Sequence, residues 1–243
     1  MKKSIIVYCL LISGLVFLIT LSCTRNKEYL TPTSWLVFPT DSGKYRVFKA
    51  IDTAFTVQNQ QGIGEVYFRR EEIGGLIEFE QKTLRKLYTS RTPDKTDSVN
   101  FELDRVWLLY KDTTAFAEVI KENVRELVIK YPVYADTTYT WDPFLFADTY
   151  EAHNLRYRCT HADTTVIVRG KAFEHCVVIF ESTREDTISS PATALKYRKA
   201  YTIYAPNVGK IKRYYKQIDR STSAGQINTE TSAIHIEEII EHN

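Results

Sequence analysis

The stretch that decides the fold class is Lys196–Gln217, which reads KYRKAYTIYAPNVGKIKRYYKQ. Two runs rich in aromatic and β-branched residues flank the turn Ala205–Gly209, in which Pro206 fixes one backbone angle and Gly209 permits a tight bend. Aromatic and β-branched side chains fit the pleated, half-buried surface of a strand better than a helix. The stretch therefore predicts two strands joined by a short turn.

The rest of the chain has the same character, with 16 tyrosines, 12 phenylalanines and one methionine in 243 residues. Further strands are predicted where apolar runs are bounded by turn or loop signals. These runs are Lys44–Ile51, Glu65–Arg70, Leu76–Glu80, Val99–Tyr110, Leu155–Thr160, Thr164–Val168, Phe173–Phe180 and Ile234–Ile240. Turns at His161–Asp163 and Arg169–Lys171 would make a three-stranded meander within this set. The expected fold is mainly β, with few or no helices.

Ala115–Tyr131 fits two interpretations. Its apolar residues lie on one helical stripe with a spacing of about 3.6 residues. The same residues also divide into two strands, Phe116–Ile120 and Arg125–Tyr131, about a turn at Lys121–Asn123. The periodicity favours the helix, whereas the β-branched residues and the lack of a capping box favour the hairpin. We prefer the hairpin, but the sequence leaves the choice open.

The N-terminus is typical of a lipoprotein export signal. Lys2 and Lys3 precede an almost wholly apolar run, Ile5–Leu21, and Ser22 stands directly before Cys23. Such a segment is a targeting address that is removed on export, which makes Cys23 the expected lipid attachment residue. A signal-anchor helix is the alternative, because the run approaches the roughly 17–25 residues that span a bilayer.

Lipoprotein processing would divide the chain into a signal peptide (1–22), an acylated Cys23 with a polar tether (23–42) and a single β-rich domain (43–243). The membrane is then a partner through Cys23, and we expect a cell-envelope location, at the outer membrane and facing the periplasm or the cell surface. Processing removes Lys2 and Lys3 and no acidic residue, so the formal net charge falls from +2 to zero. A neutral domain argues against nucleic acid as a partner, because phosphate binding needs clustered positive charge.

Two cysteines, Cys159 and Cys176, remain within the predicted domain. In the predicted meander they lie level with each other but two strands apart, at about 9–10 Å, whereas a disulfide needs Cα atoms within about 7 Å. We therefore expect two free, half-buried thiols. A zinc site with His153, His161 and His175 is disfavoured, because neighbours on a strand point to opposite faces and no Cys-x-x-Cys pair is present. No metal or other cofactor is expected.

Three segments together resemble a broad group of poorly characterised envelope lipoproteins, mainly from Bacteroidetes. They are Tyr131–Val133 with Trp141–Asp142; Val166–Val168 with Gly170, Phe173 and Cys176–Val178; and Tyr204–Lys212. The resemblance spans roughly Tyr131 to Lys212, and Asn207 replaces a glycine of the pattern, a change that still tolerates left-handed backbone. It implies a strongly curved antiparallel sheet, a half-barrel or open barrel similar to the Lol lipoprotein carriers. It implies no catalytic residues.

The strongest basic run of the chain is Lys210–Lys216. Strand alternation would put Lys210, Lys212 and Lys216 on one face and Arg213 on the other. The preferred interpretation is a solvated strand face whose lysines discourage edge pairing. The functional interpretation is that Lys210, Lys212, Arg213 and Lys216 form a patch for an anionic lipid surface or an acidic partner.

Known catalytic signatures are missing: we find no Gly-x-Ser-x-Gly, no His-Glu-x-x-His, no phosphate-binding loop and no dinucleotide fingerprint. The protein is therefore expected to be a non-enzymatic lipoprotein whose curved sheet binds an apolar ligand or an envelope protein partner. The alternatives are a scaffold or interaction subunit of an outer-membrane complex and, third, a carbohydrate-active or other hydrolase. An apolar cavity lined by tyrosine and phenylalanine would support ligand carriage in the sheet, and a concavity filled by side chains would contradict it.

Overall fold

The computed structural model describes residues 37–94, 101–112, 115–133, 135, 139–144, 155–183, 194–223 and 226–243. The predicted signal peptide, Cys23 and His153 lie outside these residues. No helix among the described residues is long and apolar enough to cross a membrane.

The described residues form thirteen strands of one antiparallel sheet and contain no α-helix. The strands are β1 (Tyr45–Phe55), β2 (Ile63–Phe79), β3 (Lys82–Thr92), β4 (Glu102–Asp112), β5 (Phe116–Lys121), β6 (Val124–Lys130), β7 (Thr140–Trp141), β8 (Leu155–Val168), β9 (Lys171–Thr183), β10 (Ala194–Ala205), β11 (Gly209–Ser223), β12 (Gln226–Glu230) and β13 (Ser232–His242). Their order in the sheet is β6-β5-β4-β3-β2-β1-β13-β11-β10-β9-β8-β7, with β12 paired to β11. The predicted mainly β fold is confirmed.

The strands β10 and β11 form the hairpin predicted from Lys196–Gln217. Its turn needs left-handed backbone at two residues, with φ of 61° at Asn207 and 86° at Gly209. Asparagine and glycine tolerate this conformation, which explains why Asn207 can replace the glycine of the lipoprotein pattern.

The ambiguous segment Ala115–Tyr131 is a hairpin, so the preferred interpretation is confirmed. Strands β5 and β6 are joined at Glu122 and Asn123, which have φ of 51° and 69°. Four successive residues of β5, Ala117–Ile120, are buried, so both faces of the strand are covered. Burial on both faces removes the alternation of apolar and polar residues, which is why the sequence also fits a helix.

The predicted meander is wrong in one respect, because Leu155–Val168 is a single strand. His161–Asp163 is an irregularity within β8, with Asp163 at φ of 57°, while the turn at Arg169 and Gly170 is present. A bulge of this kind inserts extra residues without ending the strand, so the sequence signal resembles a turn.

The two cysteines consequently lie on adjacent strands, Cys159 opposite Ile179 and Cys176 opposite Thr164. Both thiols are free, as expected, but both are fully buried instead of half-buried. They belong to separate core clusters, and the offset in register keeps them apart.

Thiol labelling tests this arrangement. Burial raises the pKa of Cys159 to about 12 and that of Cys176 to about 11, so little thiolate is present at pH 8. We expect both cysteines to resist iodoacetamide in the folded protein and to react completely in urea, as measured by peptide mass mapping. A disulfide between them, or rapid labelling before unfolding, would contradict the register of β8 and β9.

The two ends of the sheet meet and nearly close it into a barrel. The Leu127 amide of β6 donates to the Pro143 carbonyl at 2.8 Å, and the Trp141 Nε1–H donates back to the Leu127 carbonyl at 3.0 Å. One strand further, the Tyr157 hydroxyl donates to Glu126 Oε1 at 2.7 Å. The strongly curved antiparallel sheet implied by the resemblance is confirmed, in a form more closed than a half-barrel.

The segment that precedes β1 packs into the main core. Val37 and Phe38 are buried in the main core cluster, and the Phe38 ring packs against Tyr204 with centroids 6.4 Å apart. The predicted tether, 23–42, is therefore too long at its C-terminal end, because these apolar residues belong to the folded domain. A second core cluster lies near the tip of the β8–β9 hairpin, around Phe173 and Ile239.

Candidate functional site

The barrel interior contains a network of ion pairs centred on two glutamates. Glu71 Oε2 lies 3.1 Å from Arg46 Nη2, and Lys210 Nζ lies 2.7 Å from Glu71 Oε1 and 2.8 Å from Glu237 Oε2. Arg69 contacts both carboxylates and lies 2.6 Å from Glu237 Oε1. Pairing between neighbouring strands brings these charges together. Arg46 of β1 lies directly opposite Glu71 of β2, and Glu237 of β13 lies directly opposite Arg213 of β11.

The network continues across the barrel. Glu181 accepts contacts from Arg213 at 3.1 Å and from Arg198 at 3.2 Å, and Glu126 lies 2.6 Å from Lys121 Nζ. These ion pairs join β9 to β10 and β11, and β5 to β6, beside the group centred on Glu71 and Glu237.

Burial alone would raise the pKa of each buried glutamate, but the surrounding cations outweigh that effect. Lys210 and Arg69 hold the pKa of Glu71 and of Glu237 well below the ordinary value. Lys121 and Arg213 likewise lower the pKa of Glu126 to about 2. These three carboxylates are therefore ionised throughout the physiological range of pH.

A chamber of about 130 Å³ lies inside this network. Its basic lining residues are Arg46, Arg69, Lys121, Lys210 and Arg213, and it is further lined by His235, two glutamates and apolar side chains that include Trp107. Acids and bases differ in exposure. The four glutamate side chains are at most 7% exposed, whereas the five basic side chains are 9–33% exposed. Glu71 and Glu126 thus line the chamber but are less exposed than the basic groups around it.

The predicted basic patch does not form as a surface. Tyr204 pairs with Lys210 and Ile203 with Lys212, so Ile211 is an extra residue that changes the strand's alternation. Lys210 and Arg213 consequently share the inner face. Lys212 pairs with Glu238 at 2.7 Å and Lys216 is partly exposed, so only these two members of the predicted patch remain available outside the barrel.

The chamber lies where an apolar ligand was expected, in the concavity of the curved sheet. The concavity of the sheet is largely occupied by core side chains and ion pairs, and its remaining space is lined by charged and apolar side chains in similar number. The open space of the concavity is small and partly charged, which disfavours an apolar ligand there, and carriage of such a ligand stays a prediction. A larger cleft lies elsewhere among the described residues.

A cleft of about 590 Å³ lies outside the barrel, between the tip of the β8–β9 hairpin and strands β1, β2 and β13. Its apolar lining residues are Phe68, Val168, Phe173, Ile239 and Ile240. Its polar lining residues are Lys49, Arg169, Lys171, Glu241 and His242. Three cations and one carboxylate thus surround an apolar floor.

The contacts at the rim of the cleft set its charge. Burial, together with Lys171 and Lys44, lowers the pKa of His242, so its imidazole is neutral near pH 7. Lys171 Nζ lies 2.8 Å from His242 Nε2 and can donate to it. Glu241 accepts a hydrogen bond from the Tyr45 hydroxyl at 2.7 Å. The sequence did not indicate this site, because its residues come from five strands, in segments that are distant along the chain.

Among the described residues, the histidines and cysteines considered for zinc do not converge. His175 pairs with Asp163 at the surface, while the Cys176 thiol is buried and contacts the Phe173 carbonyl at 3.2 Å. Within the described residues, no three histidine, cysteine, aspartate or glutamate side chains are placed to share a metal ion.

No family model and no curated protein sequence matches the chain. Its neighbours among solved structures include a proposed lipoprotein from Parabacteroides distasonis ATCC 8503, with 11% identity and a TM-score of 0.32 over 84% of this chain and 98% of that one. A proposed exported protein with a YmcC-like fold from Bacteroides fragilis NCTC 9343 has 11% identity and a TM-score of 0.34 over the same shares.

A proposed outer membrane lipoprotein-sorting protein domain from Vibrio parahaemolyticus has 9% identity and a TM-score of 0.20, over 83% of this chain and 85% of that one. Identities and TM-scores this low assign neither a family nor a function to the chain.

Proposed function

We propose that this protein is a lipid-anchored, non-catalytic binding protein of the cell envelope, and that its external cleft binds an anionic amphiphile. The observation that carries the proposal is the cleft of about 590 Å³, which combines an apolar floor with three cationic side chains. Its volume falls within the range of roughly 300–1,000 Å³ that is typical of small-molecule sites.

The two parts of the cleft suit the two parts of such a ligand. An acyl chain would lie against Phe68 and Ile240, which are partly exposed and lose contact with water on binding. An acidic head would lie near Lys49, Arg169 and Lys171, since charge-assisted hydrogen bonds from cationic groups are the stronger ones.

The proposed anchor agrees with this ligand class. Acyl chains on Cys23 would hold the protein at a membrane surface, at the outer membrane in our proposal, where anionic amphiphiles are present. Exposed basic groups are drawn to such a surface.

The test begins with native mass spectrometry of the detergent-extracted protein, to detect a co-purified lipid. Dodecanoate is then titrated against the delipidated protein. We expect Lys171→Ala to weaken dodecanoate binding about tenfold, because it removes a charge-assisted contact of about 1.5 kcal/mol. Exposed Lys199 of β10 lies outside the cleft, so Lys199→Ala is the matched control and should bind as the wild type does. Equal binding of dodecanoate and uncharged dodecanol would contradict an anionic ligand.

A scaffold or interaction subunit is the second candidate. It is favoured by large apolar side chains that are 46–62% exposed on β2 and β4, namely Ile63, Val66, Leu76, Leu103 and Val106. Exposed apolar groups of this size can mark a protein interface when they are contiguous. Cross-linking in intact envelopes, with photoreactive groups at Leu76 and Leu103, would detect such a partner.

A further inference from the structure

The ion-pair network of the barrel has more basic than acidic groups. Its basic members are Arg46, Arg69, Lys121, Arg198, Lys210 and Arg213, and its acidic members are Glu71, Glu126, Glu181 and Glu237. His235, at the edge of the chamber, lies between Asp52 and Glu237. Among the described residues, the network thus has six cationic side chains against four glutamates, and Asp52 faces His235.

Two buried donors lie at the same chamber without an acceptor. The Nε1 of Trp107 and the Nε of Arg69 are inaccessible to solvent, and neither finds a hydrogen-bond partner among the described residues. The cationic heads of Lys121 and Arg69 lie over the Trp107 ring, 4.9 and 5.8 Å from its centroid. A buried polar group without a partner costs about 1–3 kcal/mol, so such donors indicate a missing acceptor.

We propose that the chamber binds one small oxyanion, a phosphate or carboxylate group, through the cationic groups of Lys121, Arg213 and Arg69 that line it, next to the Trp107 ring. An anion would balance the excess positive charge, and its oxygens would accept from donors that the glutamates leave unused. The chamber volume of about 130 Å³ is well above the roughly 10–15 Å³ that a single water needs, yet it is too small for an acyl chain.

The chamber is accessible from solvent. The side chain of Lys121 is 33% exposed and that of Arg213 is 27% exposed, so both reach water while they line the chamber. The binding site is distinct from the external cleft, since the two share no lining residue. The proposal therefore stands or fails independently of the proposed function.

The indole N–H of Trp107 reports directly on the site. In ¹⁵N-labelled protein, we expect its resonance to shift saturably with millimolar inorganic phosphate at constant ionic strength, and Trp107→Phe identifies the signal. The indole of Trp141 already donates to Leu127, so its resonance is the internal control and should not move. A Trp107 shift that is absent, or as large with chloride, would overturn the proposal.

A variant that lacks the charge of Lys121 tests whether this charge contributes to phosphate binding. Lys121→Met should weaken phosphate binding about tenfold, while Lys82→Met should leave it unchanged. Lys82 is a close match, because it also lies over an aromatic ring, that of Tyr110 at 4.6 Å, but outside the chamber. Equal affinity in the wild type and both variants would overturn the assignment of Lys121.

Separate titrations with acetate and glycerol phosphate identify the oxyanion. Saturable binding of inorganic phosphate or acetate supports a free anion as the ligand. Tighter binding of glycerol phosphate supports the same site, with a lipid headgroup as the source of the oxyanion. Failure of all three anions contradicts the proposal even if dodecanoate binds the cleft.

Discussion

Glu237→Gln is expected to lower the free energy of unfolding by about 3–5 kcal/mol, the usual cost of removing one partner from a buried ion pair. The Glu237 side chain has no exposed surface and contacts both Arg69 and Lys210. The glutamine amide has nearly the same shape but no charge. Arg69 and Lys210 would therefore lose their counter-charge in an interior where water cannot replace it. Urea unfolding followed by circular dichroism, in chloride buffer without added oxyanion, measures the loss.

The neighbouring residue provides a matched control. Glu238 lies on the opposite face of β13 and pairs with Lys212 at 2.7 Å, with 28% of its side chain exposed. Exposed ion pairs contribute about 0–1 kcal/mol, so Glu238→Gln should have little effect. If both variants lost a similar amount of unfolding free energy, the buried ion pairs of Glu237 would contribute no more to stability than an exposed pair.

Glu237 also makes the stability of the fold depend on pH. Arg69 and Lys210 outweigh burial and hold the pKa of folded Glu237 well below its ordinary value of 4.5. A depressed pKa in the folded state adds stability above pH 4.5 that is lost as the pH falls towards the folded pKa. The wild type should therefore lose stability in acid, and Glu237→Gln should lose less of it over that range.

Local features of the fold could be predicted from the sequence because their chemistry is local. The β10–β11 turn is set by Pro206, Asn207 and Gly209, and the β5–β6 turn by Glu122 and Asn123. By contrast, the irregularity in β8 depends on pairing with β9, and no residue type in it distinguishes a bulge from a turn.

The interior network could not be predicted, because its partners are far apart along the chain. Lys210 contacts Glu71 across 139 residues, and only the sheet order brings β11 and β2 to the same barrel interior. Lys210 and Arg213 were expected to lie on opposite faces, and the extra residue Ile211 places both inside. Charged residues in a strand are normally solvated, so a buried network gives the same sequence signal as an exposed face.

Closure of the barrel depends on another contact between distant residues, which Trp141→Ala is expected to break at a cost of about 3–5 kcal/mol. The Trp141 side chain is buried and meets the Tyr157 ring edge-on, with centroids 6.1 Å apart. Its loss would leave a cavity at the seam and a Leu127 carbonyl without its indole donor. Urea unfolding measures the stability, and hydrogen exchange of the Leu127 amide, which bonds to Pro143, measures opening of the seam.

Conservative variants of two tryptophans separate the hydrogen bond from the packing. Trp141→Phe keeps most of the ring but leaves the buried Leu127 carbonyl without its indole donor, and should cost about 1–3 kcal/mol. Trp107→Phe removes an indole N–H that has no acceptor among the described residues, so it should cost less than Trp141→Phe. Faster exchange of the Leu127 amide in Trp141→Phe alone would place the effect at the seam. Equal losses in the two variants, with no change in exchange, would mean that the Trp141–Leu127 bond does not hold the barrel closed.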